Sequence, residues 1–212
     1  MIEVSLLQIL QLAPNARSSY RNAIANGKTV LDAYGISETP LRVAHFFAQV
    51  LHECGGLTIQ FENLNYSAKR LPVVWPWRFK PRGPLDPNNF AHDPERLANE
   101  VYGGRMGNTA PGDGFAYRGR GLMQLTGKES YRNRTKDLRK LFPDAADFVQ
   151  QPDMVISEKW CLAVAAAEWD SSGCNRLADQ DDIRRITRAI NGGVTGLASR
   201  EEWARRTKRV WQ

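Results

Sequence analysis

Histidine and cysteine are scarce in this chain, three of each, and no two cysteines form a CxxC pair. An odd, scattered set (Cys54, Cys161 and Cys174) does not make a disulfide framework, and it offers too few thiolates at ligand spacing for a zinc site. Free, buried thiols are the expectation. Long apolar runs are missing as well; none reaches the ~18 residues that a membrane span needs. The opening MIEVSLLQILQLAPNAR contains an apolar segment but no basic residues ahead of it. Glu3 stands where a lysine would, and Gln8 and Gln11 interrupt the run. This reads as an amphipathic helix and not as a signal peptide, so synthesis in the cytoplasm is expected, with any exit by another route. No internal repeat or low-complexity tract stands out.

Several catalytic signatures are absent too. A zincin needs HExxH, but after His52-Glu53 the matching position is Gly56. GLMQLTGKE is not a phosphate loop, because five residues, not four, separate Gly121 from Gly127 and Glu129 replaces the hydroxyl residue after the lysine. There is no GxSxG, and with so few histidines a nucleophile–base triad is weakly supported. His45 and His52 are seven residues apart and could share a metal, but a packed, hydrogen-bonded histidine is far commoner. No metal or other cofactor is expected.

What is present is an ordinary soluble composition, 42% hydrophobic and 25% charged over 212 residues. One domain spanning 1–212 is expected. The net charge of +6 suits an anionic partner such as a nucleic acid, a membrane surface or an acidic wall. Part of the excess lies in the closing SREEWARRTKRVWQ, read either as a solvated helical face or as a docking surface for an anionic cell envelope. Helical patterns dominate, with VSLLQILQL and SSYRNAIANGKTVLDAYGI first. A helix then opens at Thr39-Pro40 and ends at Gly55-Gly56. Residues 57–90 are proline-rich and irregular. DPERLANEVYG is a helix capped by Asp93. Residues 103–121 form a glycine-dense loop, expensive to order and therefore expected to be functional. ESYRNRTKDLRKLF, EKWCLAVAAAEWDSSG and ADQDDIRRITRAINGG are helical again. The class is mostly α with a small irregular or β part.

The helix RVAHFFAQVLHECGG poses the central question. His45, Gln49, His52 and Glu53 recur at i, i+4, i+7 and i+8, one polar stripe on an apolar helix. Burial disfavours the charged form of a carboxyl, and a retained proton is what a general acid needs. Glu62, nine residues on in the polar QFENLNYSA, is expected to stay ionised. Two carboxyls separated in this way by environment suit glycoside hydrolysis. A helix-end salt-bridge partner remains the plainer reading of Glu53.

AHFFAQVLHECGG, ENLNYSA, WPWRF, VYGGRMGNTAPGDGFAYRGRGLMQLTG and INGGVTGLASR, in order from about residue 40 to residue 200, resemble the family 19 glycoside hydrolases. The likeness is strongest to the short bacterial and phage endolysins. The resemblance implies a lysozyme-like, two-lobed, mostly helical fold with a cleft between the lobes, inverting chemistry and no metal. It implies Glu53 as general acid, Glu62 as general base and Thr126 as the hydroxyl holding the attacking water. Gln124, Asn191 and Tyr66 would bind substrate, and Arg200 would lie near the cleft and steady the acid. The chain departs from the pattern at Cys54, commonly Ser or Thr, and at Ser130-Tyr131, often Asn-Tyr. Trp75 and Trp77 either stack on sugars or pack a loop.

The polar stripe would then be the cleft floor, with His52 and Gln49 supporting Glu53. The expected substrate is the glycan strand of peptidoglycan, cut by a monomeric endolysin acting at the wall after release. The alternatives are a chitinase, a lytic transglycosylase (which needs an acid but no base) and a non-catalytic glycan-binding module. Nucleic acid is not expected, since the aromatics lie inside family-like motifs and not along a basic groove.

Overall fold

The computed structural model describes residues 1–211. Among them the chain runs through α1 (Leu6–Leu12), α2 (Ser18–Ala25), α3 (Lys28–Ala33), α4 (Pro40–Glu53), α5 (Leu71–Val74) and α6 (Pro94–Tyr102). It continues through α7 (Asp113–Ala116), α8 (Lys128–Leu141), α9 (Cys161–Ser171), α10 (Cys174–Asp179), α11 (Ile183–Asn191) and α12 (Leu197–Trp211). Extended pairing is confined to isolated bridges, Phe61 with Arg120, Arg120 with Leu125 and Phe79 with Leu85.

Local chemistry sets most of the helix ends. Ser5 and Gln8 form a reciprocal capping box on α1. Thr39 Oγ1 accepts the Arg42 N–H at 3.2 Å, with Pro40 at the first helical position of α4. Asp93 and Asp182 cap α6 and α11 in the same way. SSYRNAIANGKTVLDAYGI is two helices, not one. It breaks at Asn26-Gly27, where poor helix formers allow a tight turn. ADQDDIRRITRAINGG is also divided, because Asp181 turns the chain with φ 54° between α10 and α11.

Two apolar clusters form the two lobes. The larger joins α1–α4 to α8–α12; the smaller holds Leu64, Leu71, Phe79, Phe90, Leu97, Ala98 and Val101 from α5, α6 and the irregular stretches before and between them. In the larger lobe α4 is central, with every residue from Val43 to Leu51 buried. Helix α12 lies along it. Arg200, Ala204, Thr207 and Trp211 are its buried stripe, and Trp211 stacks on Phe47 at 5.1 Å between ring centroids. On another side Trp169 of α9 meets Phe46 edge-on at 5.6 Å.

This packing corrects one expectation. The polar stripe of α4 is not a cleft floor. His45 and Gln49 are wholly buried, and the stripe is the seam along which α12 and the α10–α11 turn close over α4. His45 Nε2 meets Asp181 at 2.6 Å, and Lys208 binds the same carboxylate. Gln49 accepts from Arg200, and His52 Nδ1 meets Ser199 Oγ at 3.0 Å. A polar group inside an apolar interface is costly without a partner; α12 supplies one to Gln49 Oε1 and one to His52, while His45 Nδ1, Gln49 Nε2 and Arg200 Nε have none among the described residues.

Candidate active site

Glu53 is the last residue of α4, at the open end of that seam. Its side chain is 18% exposed, wetter than the apolar helix implied. Arg200, 2% exposed, donates through Nη2 to Glu53 Oε1 and through Nη1 to Gln49 Oε1. The guanidinium thus fixes the glutamate from below by a charge-assisted hydrogen bond. Beside it, the 192–196 turn presses on His52, and a Cβ on Gly196 would come within 2.8 Å of the imidazole. Burial, reinforced by the Arg200 charge and only partly opposed by Glu53, keeps the His52 pKa below its ordinary value. The same turn holds Asn191, whose Nδ2 donates to Thr195 O at 3.3 Å.

Glu62 is placed where residues 60–62 bridge to 119–121. Gly121 N–H donates to Gln60 O at 2.8 Å, and Glu62 N–H to Gly119 O at 3.0 Å. The carboxylate itself has two donors. Gly119 N–H reaches Oε1 at 2.5 Å, and the Tyr102 hydroxyl reaches Oε2 at 2.6 Å. Tyr102 ends α6 and packs against the smaller cluster, so that lobe positions this carboxylate. Burial first, then the contact with Glu62, pushes the Tyr102 pKa well above the usual phenol value, which keeps it a donor. A side chain at Gly119 would be tight, since a Cβ would lie 3.2 Å from Gln124 Oε1 and 3.3 Å from Glu62 Cβ and Cδ, and both side chains would have to give by a few tenths of an ångström. Glu62 and Gln124 therefore flank one glycine. Gln124 adopts φ 50° and donates to Gly121 O at 2.9 Å. Thr126 Oγ1 donates to Gln124 O at 2.8 Å.

No protein-family model matches the chain. A glycosyl hydrolase family 19 domain-containing protein of Haemophilus influenzae is 37% identical over 163 residues, 76% of this chain and 75% of that protein. The chain belongs to glycosyl hydrolase family 19. It is accordingly a glycoside hydrolase. Solved family 19 structures share the fold. Chitinase C from Streptomyces griseus HUT6037 superposes with a TM-score of 0.65 at 18% identity, covering 98% of this chain and 92% of that one. A bacterial family 19 chitinase gives 0.63 at 21%, covering 98% and 94%.

Within this family 19 chain the remaining sequence expectations divide. Tyr66 meets Trp75 edge-on at 5.2 Å, and both pack against the smaller cluster. Trp77 is 76% exposed, with only the Arg82 guanidinium over its ring at 5.6 Å. Trp75 therefore packs the loop, whereas Trp77 is exposed. All three thiols are buried, and burial pushes each up to about 12. Cys54 donates to Val50 O at 2.9 Å. Among the described residues no three His, Cys, Asp or Glu side chains converge on a metal position.

The basic closing segment is less available than its composition implied. Arg200 is spent on Glu53 and Gln49, Arg205 on Glu202, Arg206 on Leu12 O and the Trp203 face, and Lys208 on Asp181. Sequence reasoning missed Tyr102, Gly119 and Arg118, whose guanidinium lies 3.9 Å over Phe115 and 4.7 Å over Phe61 beside Glu62. All three lie inside the quoted motifs, but nothing local marks Tyr102 and Gly119 as the donors to Glu62.

Proposed function

We propose that Glu53 and Glu62 are the acid and base of an inverting hydrolysis of the β-1,4 bonds in the glycan strand of peptidoglycan. The observation that carries this reading is that both carboxyls are fixed in place while Glu62 keeps acceptor positions open. Glu53 is gripped on one oxygen by a buried arginine. Glu62 is oriented by a neutral hydroxyl and a backbone N–H. A carboxylate has about four acceptor positions, so these two donors leave Glu62 positions open for a water. Thr126 spends its proton on Gln124 O, which leaves its oxygen to accept from that water. The water then gives its proton to Glu62 as its oxygen attacks the anomeric carbon. Glu53 protonates the departing glycosidic oxygen on the opposite face. Gln124, Asn191 and Tyr66 are assigned to sugar binding.

The net charge of +6 supports an acidic wall polymer over neutral chitin. It fits an endolysin reaching the wall after release. The chitinases among the similar structures favour a second reading, hydrolysis of N-acetylglucosamine polymer. Digesting purified peptidoglycan and chitin oligomers in ¹⁸O water, with mass spectrometry of the soluble products, tests both. Solvent-labelled reducing ends from peptidoglycan are expected. Labelled ends from chitin alone would transfer the enzyme to that substrate, and unlabelled 1,6-anhydro ends would remove Glu62 as a base.

A further inference from the structure

A cavity of about 630 Å³ opens between α8 and the segment 147–150, and neither Glu53 nor Glu62 lines it. That volume lies within the ~300–1,000 Å³ of small-ligand sites. One wall is a single face of α8, because Lys128, Arg132, Lys136 and Arg139 follow one another at steps of four, four and three. Like charges at such spacings repel along a helix. Elsewhere on α8 the charges are balanced, with Arg134 paired to Asp137 and Glu168, and Lys140 to Asp137. The cavity face is not balanced in this way. Lys128 is held by Asp113 at 3.1 Å, and Arg139 Nε donates to Ala145 O at 3.1 Å. Among the described residues Arg132 and Lys136 have no ion-pair partner. Asp147, on the opposite wall, turns Oδ1 to the N–H groups of Val149 and Gln150 at 2.9 and 3.2 Å.

Four cations set against Asp113 and Asp147 leave two positive charges unanswered in a polar concavity. A phosphomonoester brings about −1.5 to −2 charges at pH 7 and three acceptor oxygens, and guanidinium forks meet such oxygens two at a time. One carboxylate would answer only half the charge. We infer that this cavity is a second binding site, taking a phosphomonoester group carried on a sugar or on a lipid. The volume leaves room for the carrier as well as the phosphate. Such a site anchors the hydrolase to phosphorylated envelope material while the two carboxyls act elsewhere, and it does not depend on which glycan they cut.

The test uses the ¹⁵N-labelled full chain, titrated with glucose 6-phosphate and, at matched ionic strength, with succinate and sodium chloride. Saturable amide shifts confined to residues 128–139 and 147–150 are expected from the phosphosugar. The Arg132→Ala/Lys136→Ala double variant should bind it about tenfold or more weakly. Sedimentation with phosphatidic acid vesicles, against phosphatidylcholine vesicles, separates the sources. Capture by phosphatidic acid that the double variant abolishes assigns the lipid, whereas saturable phosphosugar binding without capture assigns the sugar. Equal binding of succinate, shifts that only track ionic strength, or undiminished binding by the double variant would overturn the inference. Turnover of a neutral oligosaccharide, unchanged in the variant, shows that the fold and the carboxyl pair are intact, so this test fails or succeeds separately from the catalytic one.

Discussion

Replacing Tyr102 with phenylalanine removes one oxygen and leaves the ring in the smaller core. The lost oxygen is the donor to Glu62 Oε2 at 2.6 Å. A hydrogen bond to a charged group is worth ~1.5–3 kcal/mol. Two features place this one at the low end. Gly119 N–H still holds Oε1 at 2.5 Å, and Glu62 is only half-buried, so water reaches the vacated position. About 1.5 kcal/mol corresponds to roughly a tenfold fall in kcat/KM. The assay is steady-state hydrolysis of a soluble oligosaccharide, alongside a thermal melt to show that the variant is folded.

Tyr102 is a positioning residue that acts through Glu62, so its effect should vanish once that carboxylate is gone. In a Glu62→Gln background, Tyr102→Phe should cost almost nothing more, giving a strongly non-additive cycle. An equal tenfold loss in both backgrounds would refute the reasoning, as would full activity in the single variant.

Three further outcomes follow from the same geometry. Glu53→Gln should lower turnover by ~10²–10⁴ while the protein stays folded; activity within a few-fold of wild type would end the assignment of the acid. Thr126→Ala removes one acceptor for the water, worth ~0.5–1.5 kcal/mol, and so should lower kcat by about tenfold at most. A larger loss than that of Glu62→Gln would move the base elsewhere. The buried His45 has its pKa depressed, by burial first and against the pull of Asp181. The unfolded chain therefore takes up the proton before the native state does. The stability His45 contributes is present above its ordinary pKa of 6.5 and is lost as pH falls below it. His52 is shifted in the same direction. Melting temperature should drop on acidification through that window, and His45→Gln should flatten the slope; parallel curves would exclude His45 as a source.

Much of the local structure was legible because its causes are local. A Thr-Pro start, an Asp cap and a Gly-Gly stop act within one turn of the backbone, so α4 and α6 could be read residue by residue. The ordered motifs from residue 40 to 200 carried the family and, with it, the mostly helical two-lobed fold. Boundaries were lost where one residue turns the chain, at Asn26-Gly27 and at Asp181. There the periodicity continues through a break that tertiary packing makes worthwhile.

The candidate site was legible as a list of residues but not as an arrangement. Glu53, Glu62, Gln124, Thr126 and Arg200 could be named from the chain. The resemblance implied that Arg200 steadies Glu53; only the folded structure decided that it does so by direct contact across 147 residues and that Tyr102 reaches back 40 to Glu62. The polar stripe of α4 shows the same limit. Its period specifies one face of a helix, and that face suits an open cleft or a buried seam equally well. Which of the two it meets depends on whether another element lies over it. Helix α12 does, because Ala204, Thr207 and Trp211 pack against α4 and bring Arg200, itself buried, to the end of the interface where Glu53 lies. The sequence by itself determined which residues are polar, apolar or able to cap. Their partners are fixed by contacts between distant segments, and those exist only once the apolar faces have closed on one another.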